Sequence, residues 1–357
     1  MKKILIFAPF PQEKNIKDGK IQRINSIDSE LCSFYRIYIE VSLRRYFLKS
    51  YHGVADNEKE YYRLNFFTHF FALLKLLSST NNIYIHSLYN YVHLLLFSFH
   101  GKNVIVDLHG AVPEEREFMG NSLLSKILNL IENRMFSVCN FFICVSEEMK
   151  QYYMGKYPQT KESQFLIKPI YSSNAMRSSN IEEVDMIKKE LNIKETDVVF
   201  VYSGNLQKWQ NIDMMIDLIG KDTNPNHFFL FLTGEEENFR NIINRSAVKN
   251  LRYEVRCVSP NDLNIYYELA NYGFILRDEH ILNRVAAPTK LVEYLYFGII
   301  PIVKYERIGD SFLLGYEYIS CNEDLTNLPK SKSLKNKEVA KKLLMGHDET
   351  KISELLK

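Results

Sequence analysis

Short apolar runs alternate with amphipathic stretches from one end of the chain to the other. This is the pattern of mainly parallel sheets covered by helices on both faces. In the first half the runs KILIFAP, FYRIYIEV, NIYIHSL, KNVIVDLHG, FFICVS and FLIKPI predict strands. Between them, Ser122 to Phe136 places Leu124, Ile127, Leu128, Ile131 and Met135 on one face at helical spacing, and that face is expected in the core. After Pro169 the alternation lapses into YSSNAMRSSNIEE, which has the composition of a linker, and it resumes with a helix through Ile187 to Leu191. The second half continues through DVVFVYSG, HFFLFLTG, LRYEVRCV, YGFILR, IIPIVK and EYISC. The expected organisation is a first domain over 1–172, a second over 173–330 and a terminal helical segment over 331–357. No internal repeat of fixed period is visible.

Length agrees with two domains, since 357 residues exceed the usual ~150 per domain. Charge narrows the partners: 45 basic side chains against 43 acidic ones leave no net field that would make nucleic acid the default. Five cysteines lie scattered without a CxxC pair, several in apolar runs, as expected of reduced thiols in a cytoplasmic protein. The start MKKILIFAPFP imitates a signal peptide, but its apolar core is shorter than the ~7 to 15 residues such regions need, so it reads as the first strand. The 23 tyrosines and 23 phenylalanines suit stacking on sugar rings, yet a chain also rich in Lys, Asn and Ile points more to a biased genome. The stretch Tyr61 to Leu77, with Phe66, Phe67, Phe70, Phe71 and Leu74, is apolar over much of a helix; core packing is the first expectation and peripheral membrane contact the second.

The most informative segment is RDEHILNRVAAPTKLVEYLYFGIIPIV, Arg277 to Val303. It leaves the buried strand GFIL, passes through a polar loop and starts a helix at Pro288, where proline suits the first helical position. The unpaired amides there and the helix dipole attract phosphate oxygens, so Ala287, Pro288 and Thr289 are read as an anion site flanked by Arg284 and Lys290. Glu293 lies about one and a half turns into the helix and can accept hydrogen bonds from both hydroxyls of a ribose. Residue by residue, any β-loop-α-β unit with a surface glutamate accounts for the pattern equally well.

The pattern Pro288, Lys290, Glu293 and Tyr294, followed by Gly298 and Pro301, resembles the donor-site helix of glycosyltransferase family 4. The segments VVFVYSGNLQKWQNIDMMIDLI, FLFLTGE and VSPNDLNIYYELANYGFILRD resemble the units that precede it in that family, and VDLHG and FFICVSEEMKQYY look familiar in the first half. The resemblance implies an α/β GT-B fold, two Rossmann-like domains whose parallel sheets face each other across a cleft, with the terminal helix packing back on the first domain. It further implies sugar transfer from a nucleotide-sugar donor to a glycan or lipid-linked acceptor, with retention and without an essential metal or other cofactor. Val285 stands where the family carries the first of two glutamates, so sugar contacts are expected from Asn283, Asp278 or backbone groups.

A departing nucleoside diphosphate needs fixed cations or amide dipoles. Lys208, on the turn SGNLQKWQN after Gly204 and Asn205, resembles the basic residue that the family places on the diphosphate; a solvated loop lysine is the plain alternative. Arg284 and Arg277 come next, and Val258 matches the place where the family holds the base through its main chain. Gly234 is merely permissive. In the first half, VIVDLHG sets His109 at the carboxyl end of a strand, with Gly110 leaving space beside it, where ligands bind in open α/β sheets. The resemblance puts His109 near the reacting sugar, with Asp107, Gly110 and Glu114 shaping the acceptor side. The candidate catalytic set is His109, Lys208 and Glu293. The other histidines show no metal-ligand spacing, and no GxSxG, HExxH or P-loop supports a hydrolase or kinase. An inactive sugar-nucleotide-binding homologue and a nucleotide-sugar epimerase remain as rivals.

Overall fold

The computed structural model describes residues 2–11, 19–169, 176–246, 248, 251–345 and 350–356. The chain forms two compact units, one of residues 1–170 and 347–357 and one of residues 171–346. The expected boundary at 172 lies outside the described residues.

The first unit holds β1 (Lys2–Phe7), β2 (Phe34–Ser42), β3 (Tyr51–Asp56), β4 (Lys59–Asn65), β5 (Asn82–His86), β6 (Asn103–Asp107), β7 (Phe141–Cys144) and β8 (Phe165–Ile167). They form one sheet in the order β3-β4-β2-β1-β5-β6-β7-β8, parallel except for the antiparallel pair β3 and β4. That edge hairpin departs from the sequence reading. The stretch from Tyr61 begins as strand β4 and becomes the helix Phe70–Ser78 only later. Its helix also departs from core packing: Leu73 and Leu77 are buried, while Phe71 is 83% exposed.

The predicted helix after Ser122 is present as Ser122–Val138, with its inward face turned from the expected one. Leu128 and Met135 are buried, but so are Ser125 and Glu132, while Leu124 and Ile127 are exposed. The reason is an ionic knot. The Glu132 carboxylate accepts hydrogen bonds from Tyr157 Oη at 2.6 Å and Lys156 Nζ at 2.7 Å, which turns its side of the helix inward.

The second unit holds β9 (Val198–Ser203), β10 (His227–Leu232), β11 (Tyr253–Arg256), β12 (Tyr272–Ile275), β13 (Ile300–Val303) and β14 (Ile319–Ser320). Their order is β11-β10-β9-β12-β13-β14, and every recorded pairing is parallel. Each strand is one of the predicted apolar runs; the inner strands β10, β9, β12 and β13 are buried on both faces, as parallel strands between helices must be, while β11 and β14 at the edges are only partly buried. Strand order reverses between β9 and β12, and such a reversal opens a crevice at the carboxyl ends of the strands.

The terminal segment was expected to pack as a helix on the first domain. Its helix, Leu334–Met345, instead buries Val339, Ala340 and Leu343 in the core of the second unit. Only the tail joins the first unit, where Ile352 and Leu356 enter the core and the Ile352 amide donates to Glu30 Oε2 at 3.2 Å.

Candidate functional site

In the second unit the candidate residues gather at the strand reversal. Gly204 follows β9 at φ +148, a conformation that favours glycine, and the Lys290 ammonium lies so close that a Cβ there would meet Nζ at 2.7 Å. Lys290 reaches this point from the helix Thr289–Tyr296, with its ammonium 4.3 Å from the Tyr202 ring centroid and 3.3 Å from Gln210 Oε1. The helix is keyed to the sheet by Tyr294, whose hydroxyl accepts from the Ser203 amide at 3.0 Å. Its ring lies so close to Gly273 that a Cβ there would meet it at 2.4 Å. Pro288 is the cap residue with extended ψ rather than the first helical residue as expected. The first turn therefore starts at Thr289, and its leading amides are the ones that no helical carbonyl can reach.

Glu293 is buried at 7% exposure and accepts from Tyr267 Oη at 3.1 Å, whose oxygen in turn accepts from Ser203 Oγ at 2.8 Å. Burial pushes its carboxyl up to about 7, against the opposing pull of Tyr267 and Lys290. Lys290 is half-exposed as a residue, yet its ammonium is enclosed; burial, with Arg277 nearby, brings it down to about 7. Arg277 is likewise lowered by burial. Among the described residues neither cation forms an ion pair, and a cation held away from water in this way favours the approach of an anion.

Around them, the Ala286–Pro288 turn is half-exposed rather than covered. Gly309, at φ +52, backs onto it so closely that a Cβ would sit 2.1 Å from the Ala286 carbonyl oxygen. Sequence reading passed over Gly309, because its partner lies in another loop and no spacing announces the contact. Asn283 donates to the Asp278 carbonyl at 2.7 Å and accepts from Arg277 at 3.5 Å, and Asp278 is held by Lys304, so both acid substitutes serve the loop's own geometry. Val285 is buried at 1% exposure. Arg284 ends the short helix Ile281–Arg284 beside the turn. Lys208 is exposed at the start of a single 3-10 turn and Asn205 is exposed beside Gly204. Of the two lysines, Lys290 is the one the fold builds into the crevice. Val258 follows β11, half-buried against the core.

In the first unit Asp107 corrects an expectation. It was read as facing the acceptor, but it is fully buried and bound by Arg23, with Nε at 2.9 Å from Oδ2 and Nη2 at 2.6 Å from Oδ1. Burial opposes its charge, but Arg23 and then His109 outweigh it and hold the carboxyl well below the usual range. His109 Nε2 lies 3.0 Å and His86 Nδ1 3.1 Å from Asp107 Oδ2. Since a carboxylate only accepts, His109 donates through Nε2, and its Nδ1 keeps the lone pair while the ring is neutral. Burial brings His86 down to about 4, so it stays neutral at ordinary pH. Sequence reading missed Arg23 and His86, which reach Asp107 only through the order of β1, β5 and β6.

His86, Asp107 and His109 are also the one group among the described residues with the atoms to hold a metal ion. Arg23 already occupies both oxygens of that carboxylate, so a divalent cation would meet a guanidinium across it; the charge is answered without a metal. Glu114 accepts from Tyr152 Oη and Lys156 Nζ, each at 2.5 Å, which places it in the Glu132 knot rather than on an acceptor. The Gly110 carbonyl is held at 3.1 Å by Tyr153 Oη.

No family model matches the chain, and no curated protein matches it. Many solved structures do. Sucrose-phosphate synthase from Thermosynechococcus elongatus is 11% identical over 96% of this chain and 95% of its own, with a TM-score of 0.67. WaaG, a glycosyltransferase involved in lipopolysaccharide biosynthesis, is 12% identical over 99% and 97%, with a TM-score of 0.62. Anabaena HepE in complex with UDP-glucose is 10% identical over 97% and 89%, with a TM-score of 0.61. At such identities the likeness shows the fold, the two-unit α/β GT-B architecture seen in glycosyltransferases.

Proposed function

We propose that this chain is a glycosyltransferase of the family 4 type, moving a sugar from a nucleotide-sugar donor to a hydroxyl of a glycan or lipid-linked oligosaccharide in bacterial surface polysaccharide synthesis. The observation that carries the reading is the enclosed Lys290 ammonium against Gly204, with buried Glu293 three positions on along the same helix, at the β9/β12 reversal. In this reading the diphosphate lies against the Thr289 and Lys290 amides, with Lys290, Arg277 and Arg284 answering its charge. Glu293 accepts from the ribose hydroxyls. The charge that develops on the leaving diphosphate then meets dipoles and cations already in place, which is where electrostatic catalysis gains most. His109, oriented by Asp107, contacts the reacting sugar with Nδ1 as an acceptor. Transfer proceeds with retention and needs no metal or cofactor.

A thermal-shift screen of UDP, GDP, ADP and dTDP tests the donor site, because a ligand that binds only the folded chain raises its melting point by mass action. One nucleotide should stabilise the parent, and Lys290→Ala with Glu293→Ala should abolish both that shift and sugar transfer. Transfer that persists in the double variant sinks the assignment. A second reading, an inactive sugar-nucleotide-binding homologue, is favoured by buried Val285 at the position of the missing acid. It predicts donor binding by calorimetry with no turnover on any acceptor.

A further inference from the structure

The first unit carries a surface that the transferase reading does not use. The loop after β2 exposes Phe47 at 56% and Leu48 at 97%, and the segment leading into the helix Phe70–Ser78 exposes Phe67 at 64% and Phe71 at 83%. These segments are one surface. Phe66 donates its amide to the Ser42 carbonyl at 3.0 Å, and Asn65 Nδ2 donates to the Leu43 and Arg45 carbonyls at 3.2 and 2.9 Å. Phe70 stacks on Phe97 with centroids 5.3 Å apart, which brings exposed Leu96 to the same patch. Single exposed leucines need no explanation, whereas large side chains gathered like this mark a surface that meets something apolar.

Charge says what that something is. The chain has 43 acidic residues, yet residues 41–51, 65–80 and 87–106 contain none, while Arg44, Arg45, Lys49 and Lys75 stand exposed among the rings. Glu40, at the edge of the patch, is answered by Arg45 at 3.1 Å and by Arg63 of the neighbouring β4 at 3.4 Å. An acid-free, cationic surface with apolar tips fits an interface that is anionic outside and hydrocarbon beneath. The patch lies at the carboxyl ends of β2 and β4, the end of the parallel sheet at which β5 and β6 carry His86 and Asp107.

We infer that residues 43–49 and the exposed face of residues 67–74 dock the first unit onto an anionic lipid bilayer, with Phe47, Leu48, Phe67 and Phe71 entering the headgroup boundary. Docking brings the His109 end of the sheet toward the membrane, where a lipid-linked acceptor resides. The lipid contact stands apart from the transferase reading, and either can fail alone.

Vesicle sedimentation tests it, with phosphatidylcholine vesicles containing about one third phosphatidylglycerol beside pure phosphatidylcholine. The parent should pellet with the anionic vesicles and not with the neutral ones, and salt should release it. Arg44→Glu with Arg45→Glu, and separately Phe47→Ser with Leu48→Ser, should each weaken binding about tenfold or more, with unchanged melting points because these side chains are exposed. A parent that stays in the supernatant, binds neutral vesicles equally or is indifferent to both variant pairs overturns the inference. So does a protein that ignores vesicles and binds a DNA duplex through the same arginines.

Discussion

At the scale of residues, the paired titrations of Glu293 and Lys290 are the most exposed to test. Burial holds the Glu293 carboxyl up at about 7, above the ~4.3 of an unfolded chain, so the folded state binds that proton more tightly. Its contribution to stability is therefore greatest below about pH 4 and falls as pH rises toward 7. Glu293→Gln removes the cost: in urea unfolding the variant should exceed the parent by up to about 3 kcal/mol at pH 8 and by less than about 1 kcal/mol at pH 5. A gain that does not grow with pH would show that the carboxyl is not held up. Lys290 runs the other way. Its ammonium sits at about 7, so at pH 8 a bound diphosphate must draw a proton onto it. Calorimetry in two buffers of different ionisation enthalpy should read proton uptake, and affinity should weaken as pH climbs from 7 to 9; pH-independent binding, equal in Lys290→Ala, would exclude Lys290 as a phosphate contact.

At the scale of elements, the turn before Thr289, proposed to hold the diphosphate, depends on a contact between two loops. Alanine at 309 meets the Ala286 carbonyl and must also adopt a left-handed φ of +52, which costs ~1–2 kcal/mol for any L-residue. Gly309→Ala should thus push the turn before Thr289 out of place and lower nucleotide affinity at least about tenfold. Gly315→Ala is the control, since φ is +69 there and the space around it is open. It should cost stability without touching affinity, and equal losses of affinity in both variants would count against the turn. The strands that carry this turn were readable as apolar runs, and the helix at Pro288 was readable from its proline and spacing. Residues 51–65 were not read as a hairpin, because the exposed β3 offers no alternation of buried and exposed positions. The inward face of Ser122–Val138 was misread for a related reason: Glu132 is turned inward by Lys156 and Tyr157 from another helix, and apolar spacing cannot register that.

At the scale of the whole molecule, the chain returns to its first unit at the end. Ile352 is fully buried in that unit's core, so Ile352→Ala should destabilise it by about 2–4 kcal/mol. Scanning calorimetry should then show the transition of the first unit moving down while nucleotide affinity holds, since every nucleotide contact proposed lies in the second unit. A fall in affinity to match would mean that the donor site draws on both.

What the sequence determined by itself is what a few neighbouring residues decide: strand, helix start, the closeness of Lys290 and Glu293 on one helix, and the position of His109 at a strand end. These follow from backbone hydrogen bonding and side-chain periodicity, which act over a turn or a pleat. Tertiary structure decided the rest. Arg23 meets Asp107 across 84 positions, Ser203 meets Tyr294 across 91, and Lys290 rather than Lys208 occupies the crevice beside Gly204. Such partners are selected by strand order and by the balance between burying a charge and pairing it, and neither quantity exists until the sheet has formed.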